Sequence, residues 1–178
     1  MVLGIALILG GIVFIILMAA SLGPNHFKIS RSILVSSPAK ACFDQVNNFH
    51  QWEKWSPWAK LDPNMKTLYE GPDSGEGAVY SWNGAGKVGA GKMTVVKSQP
   101  AQLIEIQLDF LRPMKVTNQT LFTFEPEGNG TRVNWSMTGR NNLVAKVFHL
   151  LMNMEKMVGP DFEKGLEGIK AAAESEKA

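Results

Sequence analysis

From Asn141 to Glu174 the chain repeats apolar residues at steps of three and four: Leu143, Val147, Leu151, Met154 and Val158, then Phe162, Leu166, Ile169 and Ala173. That period puts them on one stripe of a helix, and a stripe this long demands a large apolar partner. Asn141 and Asn142 are suited to cap its start, because an Asn side chain accepts from the free N–H groups of a first turn. Gly159-Pro160 falls inside the stretch, where Pro160 lacks an N–H and crowds the carbonyl four residues back. The reading is a kink there, or two helices with Asp161 and Glu163 at the favourable N-terminal end of the second. The chain before this stretch reads mostly as strands. The expected partner is therefore a curved antiparallel sheet wrapped round the helix.

The first segment stands outside that core. Met1 to Phe27 contains no Lys, Arg, Asp or Glu, and Val2 to Leu22 is almost wholly apolar. At about 1.5 Å per residue this run matches a hydrocarbon layer of roughly 30 Å. We read residues 1–27 as a single-pass membrane anchor, spanning through residues 2–22, with a short linker. The rival is a signal peptide cut near Ala19-Ala20-Ser21, but its basic start is missing and its apolar core is usually only about 7–15 residues. Lys28, Arg31 and Lys40 follow the anchor, so the positive-inside rule favours a cytoplasmic domain. The remaining residues, 28–178, are one domain's worth, ample for a core. A net charge of +2 argues for neither nucleic acid nor an acidic partner. A single cysteine excludes an internal disulfide and any cysteine-built metal site.

The domain opens with Lys28–Ser36, where alternation of Ile29, Ile33 and Val35 with Ser30, Ser32 and Leu34 reads as a strand and leaves Arg31 on the apolar face. Its guanidinium is expected to reach the rim. Ser37-Pro38 reads as a helix cap and first-turn proline, and Cys42, Val46 and Phe49 follow at helical spacing. Cys42 is thus a packed core thiol rather than a nucleophile. Trp52, Trp55 and Trp58 then fall within seven residues, the first two on one face of a short helix that Pro57 stops. Such indoles are largely buried and need acceptors for their N–H groups. They form a plug closing one end of the sheet, an aromatic wall of a pocket, or both.

Six further strands are expected near Lys66–Gly71, Gly77–Asn83, Gly91–Ser98, Gln102–Leu111, Asn118–Pro126 and Thr131–Gly139, separated by Gly- and Pro-containing turns. The inward side carries Ile104, Ile106, Leu108 and Phe110, then Phe122 and Phe124, then Val133, Trp135 and Met137. Their neighbours, Asp109 among them, face water. Gly84 to Gly89 matches a dinucleotide-binding glycine pattern by letter, and Gly86 to Lys92 resembles a phosphate loop. Both motifs work only where the loop opens a helix, and the residues that follow, Met93 to Ser98, have strand character. No nucleotide is expected. The three histidines are far apart, with His149 on the solvated face of the last helix, and no spacing suggests a metal site. Asn118, Asn129 and Asn134 begin Asn-x-Ser/Thr triplets, which matter only in a glycosylating lumen.

Strand, two short helices, six strands and a long closing helix make the helix-grip order. The residues that carry a likeness to a known family are Arg31-Ser32-Ile33 with Ser37-Pro38, and Trp52-Glu53-Lys54-Trp55-Ser56-Pro57-Trp58. Gly75 to Trp82, Gly91 to Thr94, Thr131 to Met137 and Gly159 to Leu166 add to it. On these the sequence resembles the START-like (SRPBCC) superfamily, most closely its polyketide cyclase/dehydrase-like branch of membrane-tethered bacterial proteins. The resemblance covers essentially all of residues 28–178. It implies an α+β helix-grip fold, with about seven antiparallel strands around the C-terminal helix and one transmembrane helix before them. It also implies a cavity between sheet and helix in which relatives hold lipids, sterols, polyketides or other apolar molecules.

The residues expected to line such a cavity are Trp55, Trp58, Tyr80, Trp82, Phe110, Phe122, Trp135, Met137, Val147, Leu151 and Met154, with Met157 as a further adaptable side chain. The alternative is that they simply fill the space. The functional expectation is binding of a small hydrophobic molecule or lipid, without a cofactor or metal. Two other readings stay open. One is a cyclase/dehydrase-type enzyme using Tyr80, Asp109 or an ordered water for acid–base work; the other is a protein-interaction module with a filled core.

Overall fold

Each of the seven strand-like segments is a strand in the computed structural model, which describes residues 2–86 and 88–175. The side chains of residues 2, 3, 5, 6, 149 and 151 lie outside the description, and with them the expectations for His149 and Leu151. Lys87 in the glycine-rich loop also lies outside it. The elements run α1 (Val2–Ser21), β1 (His26–Val35), α2 (Ala39–Asn47), a single 3-10 turn (Phe49–Gln51) and α3 (Trp52–Trp55). Then come β2 (Lys66–Glu70), β3 (Val79–Asn83), β4 (Ala90–Gln99), β5 (Leu103–Arg112), β6 (Val116–Glu127), β7 (Gly130–Arg140), α4 (Leu143–Leu151) and α5 (Met154–Ser175).

The strands form one antiparallel sheet in the order β1-β7-β6-β5-β4-β3-β2. Hairpins join β2 through β7 in sequence, and β1 pairs with β7 at the far side. Period-two alternation sends one set of side chains inward, as the sequence indicated. Ile104, Ile106, Phe122, Phe124, Val133 and Trp135 are all buried. Against that face packs the second half of the C-terminal stretch, with Phe162, Leu166, Ile169 and Ala173 buried along α5. Cys42 sits in the same core, fully buried, and desolvation pushes its thiol up to about 11. It is a core residue.

The glycine-rich segment is the β3–β4 hairpin loop and opens no helix. Ser37 departs from its expected role. Pro38 occupies the cap position of α2, without a side-chain cap bond. The Ser37 hydroxyl instead donates to the Ala173 carbonyl at 3.0 Å, one of the acceptors that the last turn of α5 leaves unmet. Arg31 lies on the inner face of β1, and its guanidinium reaches α5. Its Nε donates to Glu163 Oε1 at 2.6 Å, and its Nη1 pairs with Glu155. This strand-to-helix pairing leaves the Arg31 side chain 23% exposed.

The C-terminal stretch is divided, but not at Gly159-Pro160. α5 runs unbroken through Pro160. A proline in the second turn forfeits one hydrogen bond, and the packing of Phe162 onward holds the helix on the sheet. The division lies at Met152-Asn153. Met152 is extended (φ −132°, ψ 128°), and Asn153 caps α5, its Oδ1 accepting from Lys156 N at 3.1 Å. Asn142 caps α4 as expected, accepting from Ala145 N at 2.8 Å. Asn141 instead ties the chain to the linker, donating from its backbone N–H to Asn25 O and from Nδ2 to Pro24 O.

α4 therefore leaves the sheet and packs beside α1, with Lys146 Nζ donating to Ser21 O at 3.4 Å. Leu143, Val144 and Leu150 are left exposed. α1 is 20 residues long with no acidic residue in its first turn and no basic one in its last. Among the described residues no helix is long and apolar enough to cross a membrane.

Candidate functional site

Along β5, β6 and β7 the inner face changes character. At one end Ile104, Ile106, Phe122, Phe124 and Val133 are sealed under α2 and the C-terminal half of α5. Two residues further along each strand the inner positions become Leu108 and Phe110, Thr120 and Asn118, and Trp135 and Met137. Here the first turns of α5 stand off the sheet and leave a cavity of about 280 Å³. Its roof comes from Met154, Val158, Asp161 and Phe162 of α5, and one side comes from Phe49, Trp52, Glu53, Ser56 and Trp58. This volume lies at the small end of ligand sites, which run from roughly 300 to 1,000 Å³.

Aromatic rings build most of the wall. Tyr69 and Tyr80 on β2 and β3 lie 5.2 Å apart, Tyr80 stacks on Trp82 at 6.2 Å, and Trp82 meets Phe110 edge-on at 6.0 Å. Gly91 pairs with Trp82 across the β3–β4 ladder. A Cβ there would come 2.5 Å from the indole, so only glycine lets Trp82 lie flat over β4. On the opposite wall the Trp135 ring lies face to face with Phe162 at 4.1 Å and 11°, with Trp58 edge-on to both.

Of the side chains expected to line the space, Trp58, Tyr80, Trp82, Phe110, Trp135, Met137 and Met154 do so. Trp55 and Phe122 are buried one layer behind it, packed edge-to-face at 6.5 Å. Val147 is not brought to the cavity, because α4 swings away to α1, and Met157 points outward at 46% exposure. The tryptophan cluster serves both structural and wall roles. Trp52 and Trp55 donate to the carbonyls of Val46 and Gln45, each at 2.9 Å, and so fasten the α3 turn to the end of α2.

Sequence reading missed the polar members of the wall. Glu53 lies four residues after Phe49, on the same side of its short helical segment, and its Oε1 accepts from Tyr69 Oη at 3.4 Å. Asp161 follows Val158 by three on α5. Asn118 and Thr120 precede Phe122 at strand period, so the alternation that identified Phe122 as inward held their signal too. Asn118 is only 6% exposed, which also removes it as a glycosylation acceptor. Its Oδ1 and the Nε1 of Trp135 are buried without a hydrogen-bond partner among the described residues. Orphaned polar atoms of this kind cost free energy unless something joins them.

Acid–base chemistry finds little support in these groups. Asp109 faces away from the cavity, between its inward neighbours Leu108 and Phe110. Desolvation pushes its carboxyl up, but hydrogen bonds from Thr117 and Gln107 and the charge of Lys92 outweigh that and hold it below the usual range. Tyr80 does face the cavity. Burial, then Tyr69 and Glu53, push its phenol up to about 12, far from the range in which a proton is exchanged readily near neutrality. Among the described residues no group of three or more His, Cys, Asp or Glu gathers to hold a metal.

The sequence model of a family described as polyketide cyclase / dehydrase and lipid transport matches residues 26–174. No curated protein matches the chain. Among solved structures, the fold is similar to that of a Chromobacterium violaceum protein at 13% identity, with a TM-score of 0.59 over 85% of this chain and 99% of that one. It is also similar to the di-domain ARO/CYC StfQ of the steffimycin biosynthetic pathway, at 11% identity and a TM-score of 0.62 over 85% of this chain and 52% of that one. A third likeness is to the Aha1 dimer protein of Colwellia psychrerythraea, at 13% identity and a TM-score of 0.55 over 82% and 98%. At these identities the structures speak for the fold.

Proposed function

The chain belongs to the polyketide cyclase / dehydrase and lipid transport family, and from that premise we propose that it binds a small hydrophobic molecule or lipid between the sheet and α5. The observation that carries the proposal is the 280 Å³ cavity, walled by aromatic and methionine side chains with a few convergent polar groups. A filled core would have favoured protein interaction instead. The enzyme reading draws on Glu53 and Tyr80 sharing one wall. Binding is preferred because burial keeps the Tyr80 phenol protonated and, among the described residues, no matched acid and base face each other.

The proposal includes a tether. α1 is apolar all round and its side chains from Leu7 to Phe14 are exposed, the pattern of a helix that lies in protein interior or lipid. Counted over the whole apolar run Val2 to Leu22 of the sequence, beyond the described side chains alone, the length matches the hydrocarbon layer at about 1.5 Å per residue, and the positive-inside rule applied to Lys28, Arg31 and Lys40 favours the cytoplasmic side. Extraction of the full chain by detergent alone is expected. Release by salt or alkaline carbonate would remove the tether.

Met154 tests the binding site. It stands in the roof at the start of α5 and is half-exposed, so Met154→Trp fills the cavity without overpacking the sealed core. The variant is expected to lose binding of a compact neutral probe, 1-adamantanol, by titration calorimetry, while its unfolding midpoint stays near that of the wild type. A folded variant that binds the probe normally refutes the site.

A further inference from the structure

We infer that this cavity selects its ligand by charge, taking an apolar body that ends in a cationic amine or a neutral hydroxyl and rejecting one that ends in a carboxylate or phosphate. The inference rests on the reading of the cavity as a ligand site and adds the chemical class of its occupant. Among the described residues the charged side chains of the wall are Glu53 and Asp161, and no described Lys, Arg or His joins them. They come from separate elements, α3 and α5, and both residues border one shared space. Arg31, a long cation of the inner face, is occupied by Glu155 and Glu163 and does not line the cavity.

The influence of Glu53 is felt inside the wall. The Tyr69 phenol is pushed up by burial first and then by the negative charge of Glu53 beside it. Aromatic faces add to the same sign, since ring faces are the negative side of the quadrupole and attract ammonium groups. Hydrogen bonding by itself does not discriminate. Asn118 Oδ1 and Trp135 Nε1 are orphaned but sealed within the wall, on side chains more than nine-tenths buried, so neither is presented to a ligand's end group. An anion would meet two carboxyl groups and lose its hydration in a low-dielectric space.

The test holds the apolar body fixed and changes only its end. 1-Adamantanamine, 1-adamantanol and adamantane-1-carboxylate are titrated into the full chain and into a Glu53→Gln, Asp161→Asn variant, with calorimetry and tryptophan fluorescence as readouts. The inference predicts that the amine binds at least roughly ten-fold more tightly than the carboxylate, with the alcohol between them. In the double variant the amine-to-carboxylate ratio should shrink to about three-fold or less. Equal or tighter binding of the carboxylate by the wild-type chain overturns charge selection, as does a ratio unchanged in the double variant, and either leaves the cavity reading intact. Failure of all three compounds to bind the folded chain overturns the cavity reading, and the charge selection with it.

Discussion

Truncating Phe162 to alanine probes the packed wall from its centre. Phe162 is 2% exposed, stacked on Trp135 at 4.1 Å and set edge-on to Trp58 at 6.3 Å. A buried aromatic ring removes about 150–250 Å² from water, which at about 25 cal/mol per Å² is about 4–6 kcal/mol before the methyl that alanine retains is subtracted. Phe→Ala changes in cores cost about 3–5 kcal/mol, more where the surroundings cannot close on the void. Here the void would merge with the existing cavity, and Trp135 is held from its other side by Phe122 at 4.7 Å. Collapse is therefore blocked, and we expect about 4 kcal/mol. In a domain of this size each kcal/mol lowers the melting temperature by about 2–4 °C, giving a drop of about 8–16 °C. Urea unfolding followed by tryptophan fluorescence measures the loss, with Phe162→Leu as a control that should cost under about 1.5 kcal/mol. A cost for Phe162→Ala as small as that of the leucine control would refute the stacked wall.

Two further predictions concern the same core. Gly165→Ala would bring a Cβ to 2.5 Å from Trp135 Cζ3 and 3.5 Å from Pro57 Cδ, and Trp135 is held between Phe122 and Phe162. The strain of about 1–3 kcal/mol exceeds the gain of about 0.8–1 kcal/mol in helix propensity, so a net loss of about 1 kcal/mol is expected in urea unfolding; a stabilised variant would contradict the packing. Cys42, pushed up to about 11 by burial, stays a neutral thiol in the folded state at pH values where the unfolded chain ionises it. Its contribution to stability is complete below its ordinary value near 9 and fades as pH rises through about 11. Unfolding midpoints measured from pH 8 upward should fall over this window and fall less in Cys42→Ala. Identical slopes would show that the thiol is not desolvated.

Much of the fold was legible because sheet registers write themselves into sequence at period two. The runs Ile104 to Phe110 and Val133 to Met137 point inward as read, and the Phe162 to Ala173 stripe lies on them. What alternation does not encode is where the covering helix stops. Leu143, Val147 and Leu151 keep the same period as Phe162 and Leu166, yet Met152-Asn153 turns the chain, and α4 rests on α1 instead of the sheet. The single residue with the strongest helix-breaking reputation, Pro160, did not break α5, while Asn153 started it through a capping bond that looks unremarkable in a string of letters. Val147 was lost to the site for the same reason. Glu53, Asp161 and Asn118 were missed because attention to apolar residues hides the few polar ones that a cavity wall needs, although their spacing from Phe49, Val158 and Phe122 puts them on the same faces.

The central claim is that the space between the sheet and α5 holds an apolar ligand, and native mass spectrometry of the full chain purified without detergent tests it most directly, with Met154→Trp prepared alongside and both solvent-extracted. The account predicts a stoichiometric apolar adduct on the wild-type chain, with an amine or hydroxyl end, that is absent from the variant. A wild-type chain that emerges empty and takes up no added 1-adamantanol, or one that carries the same adduct as the variant, would contradict it.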